Sequence, residues 1–289
     1  MDNIRGAVLM VLAMLGFALE DMFIKLLADA LPIGQILLML GIGGTVVFGA
    51  IVLAQGKPLF TRQMFTWPIL ARVLGELFGA MTFVSAIVLT PISSASAILQ
   101  ATPLVVTLGA AVFLGEPVGW RRWSAIIVGL IGVLMIIRPG MASFEMLSLL
   151  ALIAVFALAM RDLSTRKIPA SVTSMQLSFL GFVSVLPAGL FLLAFTGESL
   201  LAPSGVEWAK IISAITVGLF AYYAIVAAMR VGDVGFVTPF RYARLLFALV
   251  AGVMVFDESP DTLTLLGAAI IVASGIYTVL RERKIRHPK

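Results

Sequence analysis

The sequence predicts an all-α integral membrane protein of ten transmembrane helices, arranged as two inverted five-helix repeats. Three observations lead there. Hydrophobic residues fill 61% of the 289 positions and charged residues only 12%, whereas soluble domains are about 45–50% apolar and about 25% charged. Ten separate stretches stay apolar over the roughly 20 residues that a bilayer-spanning helix needs. Segments of the first half of the chain also recur in the second half at a nearly constant offset.

The stretches lie near residues 5–28, 33–54, 68–89, 92–114, 119–138, 144–163, 171–195, 208–230, 234–256 and 262–281. Turn and helix-stop signals separate them: Gln55-Gly56-Lys57-Pro58, Thr90-Pro91, Gly115-Glu116-Pro117, Arg138-Pro139-Gly140 and Asp257-Glu258-Ser259-Pro260. In the first stretch, Ala28-Asp29-Ala30 resembles a signal cleavage site, but Glu20, Asp21 and Lys25 interrupt the apolar region before it. It therefore reads as a retained helix. No interval between stretches is long enough for a soluble domain.

Orientation follows from the basic residues. One set of ends carries Arg5, Lys57, Arg62, Arg121, Arg122, Arg166, Lys167, Arg230 and the tail residues Arg281, Arg283, Lys284, Arg286 and Lys289. The other set carries Lys25, Arg138 and Lys210. This asymmetry predicts both termini in the cytoplasm, and an even number of spans agrees.

The repeat is carried by two matches. GFALEDMFIK (16–25) resembles ALAMRDLSTR (157–166), so that at a shift of 141 Asp21 meets Asp162 and Lys25 meets Arg166. GEPVGWRRWSAIIVGLIG (115–132) resembles DESPDTLTLLGAAIIVASG (257–275), with Glu116 opposite Glu258 and Gly132 opposite Gly275. The expected units are residues 1–140 and 141–289, the second with a basic cytoplasmic tail. Five helices per unit is odd, so the second unit must enter the membrane from the opposite side. Such repeats build a substrate site between them, opened alternately to each face.

Other classes are disfavoured. The net charge of +5 is scattered over loops and tail rather than gathered with aromatics, which argues against a nucleic-acid partner. There is no cysteine, and the single histidine, His287, lies in the polar tail. Thiolate chemistry, disulfides and most zinc or haem ligation are thereby removed, and no cofactor or metal is expected. With neither HExxH nor GxSxG, an intramembrane enzyme is a remote alternative, and mixed charges on several helices suit a closed binding site better than a pore.

Charge inside the membrane costs roughly 2.5–3.5 kcal/mol at the centre even on the lenient insertion scale. The residues concerned are Glu20, Asp21, Glu76, Arg241 and Arg244, with Arg72 one turn nearer the cytoplasm than Glu76. Arg72 and Glu76 are four apart and can pair on one face. Glu76 lies inside Gly75-Glu76-Leu77-Phe78-Gly79, whose GxxxG spacing admits a close neighbour. It is either half of a structural ion pair or a group that binds substrate or carries a proton, since burial favours a protonated carboxyl. Arg241 and Arg244 share a face and need anions between them, which acidic side chains or a substrate would supply. Tyr242 either reaches the cavity edge or packs.

Asp21 is expected to pair with Lys25, or to turn towards the second repeat; Asp162 and Arg166 repeat that structural pair. Glu20 is rotated about 100° from Asp21 and is expected to face the cavity, its counterpart being Arg161. The bland alternative is that these groups brace a helix end. Phe17, Phe78, Phe83, Tyr222, Tyr223 and Phe240 lie in the same helices. Each alone reads as packing. As a set beside arginines and carboxylates they suit a flat heterocycle with polar groups.

TPISSASAILQATPLVVTLGAAVFLGEPVGWRRWSAIIVGLIGVLMIIRP (90–139) resembles the fourth and fifth helices of the drug/metabolite transporter superfamily, EamA type. VTPFRYARLLFALVAGVMVFDE (237–258) resembles the corresponding ninth helix, in the branch that includes S-adenosylmethionine uptake carriers. GFALEDMFIK is similar to riboflavin importers. The resemblance covers the whole chain and implies ten helices, inverted repeats, a central cavity and no ATPase. It implies a secondary active or facilitative transporter of a small polar heterocyclic metabolite in a bacterial inner membrane, with import favoured over export. Export of amino acids or drugs is the alternative. Expected partners are the small-molecule substrate, the lipid bilayer and a coupling proton, in a monomer or homodimer. The expected binding and coupling residues are Phe17, Glu20, Arg72, Glu76, Phe83, Arg241, Tyr242 and Arg244.

Overall fold

In a computed structural model, residues 2–115, 119–138, 145–169, 171–231 and 234–286 are described. Glu116 and Pro117, Pro139-Gly140, His287 and Lys289 lie outside them, as do the side chains of Arg121, Arg122, Arg230, Arg281, Arg283, Lys284 and Arg286. Every regular element among the described residues is helical: α1 (Asp2–Leu27), α2 (Ile33–Ala54), α3 (Trp67–Leu89), α4 (Ile92–Leu99), α5 (Thr102–Leu114), α6 (Trp120–Ile137), α7 (Ser148–Thr165), α8 (Ser174–Thr196), α9 (Gly205–Val231), α10 (Val234–Val237), α11 (Ala243–Val255) and α12 (Thr262–Arg286), with 3₁₀ turns at Arg62–Met64 and Thr238–Tyr242. Among the described residues, eight spans are long and apolar enough to cross a membrane, α4 and α5 counting together; Trp123–Ile137 and Thr262–Tyr277 are shorter apolar helices.

Prolines and glycines set the boundaries. α2 and α4 start directly after Pro32 and Pro91, and α3 carries a proline in its first turn, where the missing N–H costs nothing. Gly115 and Gly197 end α5 and α8 in left-handed conformation, φ 66° and 71°. α8 opens with a capping box between Thr173 and Gln176.

The stretches 92–114 and 234–256 are not the continuous helices the sequence suggests. The first turns at Gln100-Ala101, before Pro103, and the second passes through the 3₁₀ turn that holds Pro239. Proline removes an i→i−4 hydrogen bond and crowds the preceding turn, so the helix must break or tighten there.

Packing pairs helices from either side of the 139–144 connection: α1 on α9, α3 on α7, α2 on α8 and α6 on α12. Glycine makes each approach possible. A Cβ on Gly75 would lie 2.6 Å from the Ala157 carbonyl oxygen, and one on Gly34 2.6 Å from that of Gly189. Gly132 and Gly267 face each other in the same way across α6 and α12. Inside, Leu27, Ile36, Ile87, Ile98, Val155 and Ile271 belong to the main apolar core. Outside, Phe113, Phe195 and Met254 are almost fully exposed, as lipid-facing side chains should be.

Polar links define the two ends of the bundle. At the Lys25 end, Gln35 exchanges two hydrogen bonds with the Leu201 backbone, Lys210 donates to the Leu26 carbonyl, and Arg138 pairs with Asp261. At the Arg72 end, Gln176 donates to the Pro58 carbonyl and Ser171 to Gln63.

Candidate functional site

Asp21 is held by Arg244, not by Lys25. Arg244 Nε and Nη2 donate to both carboxylate oxygens at 2.6–3.1 Å, joining α1 to α11. Its guanidinium also sits 5.3 Å from the ring centroids of Phe17 and of Phe83. The planar fork of arginine satisfies a carboxylate in two places and stacks on rings, which an ammonium cannot match. Phe17 and Phe83 thus gather around this cation.

Lys25 belongs to a different cluster. Its Nζ lies 2.7 Å from the Thr90 carbonyl oxygen, 3.2 Å from Glu258 Oε1 and 5.2 Å from the Phe256 ring centroid. Glu258 also accepts from the backbone N–H groups of Ile92 (2.6 Å) and Ser93 (3.1 Å) and from Ser93 Oγ (2.6 Å). It thus caps the first turn of α4, where four N–H groups lack intrahelical partners and the helix dipole favours an anion. One carboxylate ties together α1, α4 and the α11–α12 connection. The Glu258 oxygens fit because position 252 is glycine; a Cβ there would lie 2.5 Å from Oε2. The sequence marks Glu258 only as part of a turn. The signal that could have found it is its match to Glu116.

The third cluster centres on Arg161. Glu76 does not pair with Arg72, although the two are four apart. Arg161 Nη1 donates to Glu76 Oε1 at 3.2 Å, while its Nε donates to Asp162 Oδ1 at 2.9 Å. The reason is Gly75: without a Cβ, α3 lets the Arg161 backbone come so close that a Cβ would be 2.8 Å from its nitrogen. Arg72 instead donates to Thr165 Oγ1 at 2.6 Å. The expected Asp162–Arg166 pair is replaced as well, because Arg166 is the C-cap residue of α7 and Asp162 is served from position 161. Arg72 and Arg241 add positive potential at Asp162.

Other expected site residues are placed differently. Tyr242 packs against Gly275, and among the described residues its buried hydroxyl has no hydrogen-bond partner, so it packs rather than reaching a cavity edge. Phe78, Tyr223 and Phe240 are exposed on the outer surface, while Tyr222 bonds Ser178 and meets the Phe48 ring edge-on. Glu20 lies against Gly218 of α9, where a Cβ would be 2.5 Å from Oε1.

Two cavities open at the Lys25 end. One of about 470 Å³ is lined by Lys25, Thr90, Pro91, Glu145 and Met146. The other, of about 420 Å³, is lined by Ser93, Ser94, Arg138, Ser148, Glu258 and Asp261 among others. At its rim the Arg138 guanidinium, with the Thr264 backbone, holds the Asp261 carboxyl down to about 2. Asp261 also accepts from the Thr264 N–H at 2.9 Å and so caps α12.

A bundle of apolar helices whose interior charges are paired across the packing defines a multi-pass membrane protein. Comparison with known proteins makes the assignment: the model of the EamA-like transporter family matches residues 4–138 and again 146–280, and the chain belongs to that family. It is 25% identical over 282 residues to an S-adenosylmethionine uptake transporter of Rickettsia prowazekii, covering 97% of this chain and 94% of the relative. It is 33% identical over 224 residues to a riboflavin transporter of Vibrio cholerae, covering 77% and 74%. A pseudopaline exporter of Pseudomonas aeruginosa is 25% identical, covering 94% of both chains. One solved crystal structure superimposes with a TM-score of 0.58 at 20% identity, over 96% of this chain and 99% of the other; that likeness speaks to the fold.

Proposed function

We propose that this transporter imports a small polar heterocyclic metabolite, of the riboflavin or S-adenosylmethionine kind, by alternating access in a bacterial inner membrane. It does so with ten spans built as two inverted repeats, residues 1–140 and 141–289, and with both termini cytoplasmic. The observation that carries this reading is the placement of interior charge. Asp21–Arg244 and Glu76–Arg161 each join a helix from one side of the 139–144 connection to a helix from the other. Charges at such a seam can exchange partners as the two sides rock, which fixed structural pairs within one helix could not do.

The rings of Phe17 and Phe83 around Arg244 support a flat substrate. A heterocycle could replace one ring on the guanidinium face while its polar groups meet Arg241, which has no ion pair among the described residues. The Lys25–Glu258 cluster closes the non-cytoplasmic end in this reading. Import is favoured by the uptake relatives, and the exporter among the relatives keeps extrusion as the second reading. Proteoliposomes loaded with buffer and exposed to labelled riboflavin or S-adenosylmethionine test the proposal. Saturable uptake of either is the expected result; no uptake, with extrusion from preloaded vesicles, would overturn the direction.

A further inference from the structure

Among the described residues, four of the five carboxylates held within the bundle have a cation, Glu258 with Lys25 being one. Asp21 has Arg244, and Glu76 and Asp162 share Arg161. Glu20 differs. Among the described residues its carboxylate makes no hydrogen bond and no ion pair. It rests on the bare backbone of Gly218, where a Cβ would lie 2.5 Å from Oε1 and 2.9 Å from Oε2. An ionised carboxylate left alone in such surroundings carries a desolvation penalty of several kcal/mol. Neutralisation would relieve that penalty on this half-buried side chain.

The neighbours narrow what that charge is. On its own helix Glu20 is followed by Asp21, turned about 100° away, and Lys25 is engaged with Glu258 and the Thr90 carbonyl. From α11 it feels Arg244, already chelated by Asp21. α9 offers Val217, Gly218 and Ala221 against this part of α1; its Lys210 is bound to the Leu26 carbonyl and its Tyr222 to Ser178. From α3, Arg72 is bound to Thr165 and Glu76 to Arg161. From the 3₁₀ turn, Arg241 acts on Asp162. Among the described residues no cation bonds Glu20: Arg244 is taken by Asp21, and Arg241, which has no ion pair of its own, forms none with Glu20.

We propose that Glu20 takes up and releases the coupling proton of the transport cycle, with Arg244 as the counter-ion it shares with Asp21. The carboxylate accepts a proton from water, becomes a neutral carboxyl and rests on Gly218, leaving Arg244 to Asp21. Loss of that proton to water makes Glu20 a competitor for Arg244. The α1–α11 contact is thereby loosened on the step that the proton leaves. This rests on the transporter reading, and it moves the coupling role from Glu76, which is ion-paired, to Glu20.

Two measurements test it. In the purified protein in lipid, infrared difference spectra across a pH titration report protonated carboxyl C=O groups. The titrating band is expected to vanish in Glu20→Gln and to persist in Glu76→Gln. A band unchanged in Glu20→Gln, or no titrating carboxyl in the wild type, would overturn the proposal. Gly218→Ala, which puts a methyl where the carboxyl rests, should shift the midpoint of that band and serves if Glu20→Gln does not fold. In proteoliposomes, an inwardly directed proton gradient should drive accumulation of labelled riboflavin or S-adenosylmethionine. Glu20→Gln should fall to the level seen without a gradient. Gradient-driven accumulation at the wild-type level in Glu20→Gln would refute the role. If neither compound moves in the wild type, the substrate reading fails while the infrared result still decides the proton site.

Discussion

Replacing Glu258 by Ala should open the Lys25 end, and the size of the effect can be worked from its bonds. The substitution removes four acceptor contacts: Ile92 N–H at 2.6 Å, Ser93 N–H at 3.1 Å, Ser93 Oγ at 2.6 Å and Lys25 Nζ at 3.2 Å. Hydrogen bonds to a charged group are worth about 1.5–3 kcal/mol each. Water from the adjoining cavities of about 470 and 420 Å³ replaces part of that, and Lys25 keeps the Thr90 carbonyl and the Phe256 ring. A net cost of about 2–4 kcal/mol to the closed end follows. At about 1.4 kcal/mol per tenfold, the open population rises by roughly 30- to 700-fold. Lys25→Met should cost less, about 1–2 kcal/mol, because Glu258 keeps its three bonds to the start of α4. The chain has no cysteine, so a single reporter thiol has no background. Ser96 is 1% exposed, one turn below Ser93, and its hydroxyl has no partner, which makes Ser96→Cys a suitable reporter. Its labelling rate with a membrane-impermeant maleimide should rise in Glu258→Ala by that factor and in Lys25→Met by less. Equal rates in Glu258→Ala and its parent, or a larger effect from Lys25→Met, would refute the assignment.

Other expectations follow from the same bonds. Asp21→Asn leaves the half-buried Arg244 with half its partner, so thermal unfolding in detergent should show a loss of up to about 3 kcal/mol; Arg244→Lys alone should also lose stability, since an ammonium cannot both chelate Asp21 and stack between Phe17 and Phe83. Gly275→Ala should destabilise by pushing on the Tyr242 ring, whereas Tyr242→Phe alone should be neutral or mildly stabilising, because the lost hydroxyl has no partner. Melting temperatures of the two variants and their double mutant separate these effects. The Asp261 carboxyl is held down to about 2 in the fold, against its ordinary 3.8. Its contribution is therefore present above pH 3.8 and lost as pH falls towards 2. With the side chain 51% exposed, screening leaves that contribution on the order of 0.5–1 kcal/mol. Asp261→Asn should flatten the acid limb of the melting profile in that window.

Membrane insertion, the all-helical architecture and the location of interior charge could be read from the chain because each depends on a local quantity. Apolar run length fixes spans, and glycine and proline fix their ends. Pairing could not be read in the same way. The i,i+4 rule correctly puts Arg72 beside Glu76 and Asp21 beside Lys25, but it knows nothing of a neighbouring helix. Once Gly75 admits α7, Arg161 reaches Glu76 across the contact; once α11 lies on α1, Arg244 outcompetes Lys25 for Asp21. Glu258 escaped notice because a glutamate before Ser-Pro in a connection looks like solvent-facing punctuation. Its role needs α4, which starts 166 positions earlier in the chain than Glu258.

The glycine crossings of α2 with α8 and of α6 with α12 set a mechanical limit. At Gly34–Gly189 and at Gly132–Gly267 main chain lies on main chain, with no side chain between to compress or slide. Such points hold the paired helices at a fixed closest distance. A single methyl added at either one would have to wedge two main chains apart, where there is no compliant side chain of its own to give way.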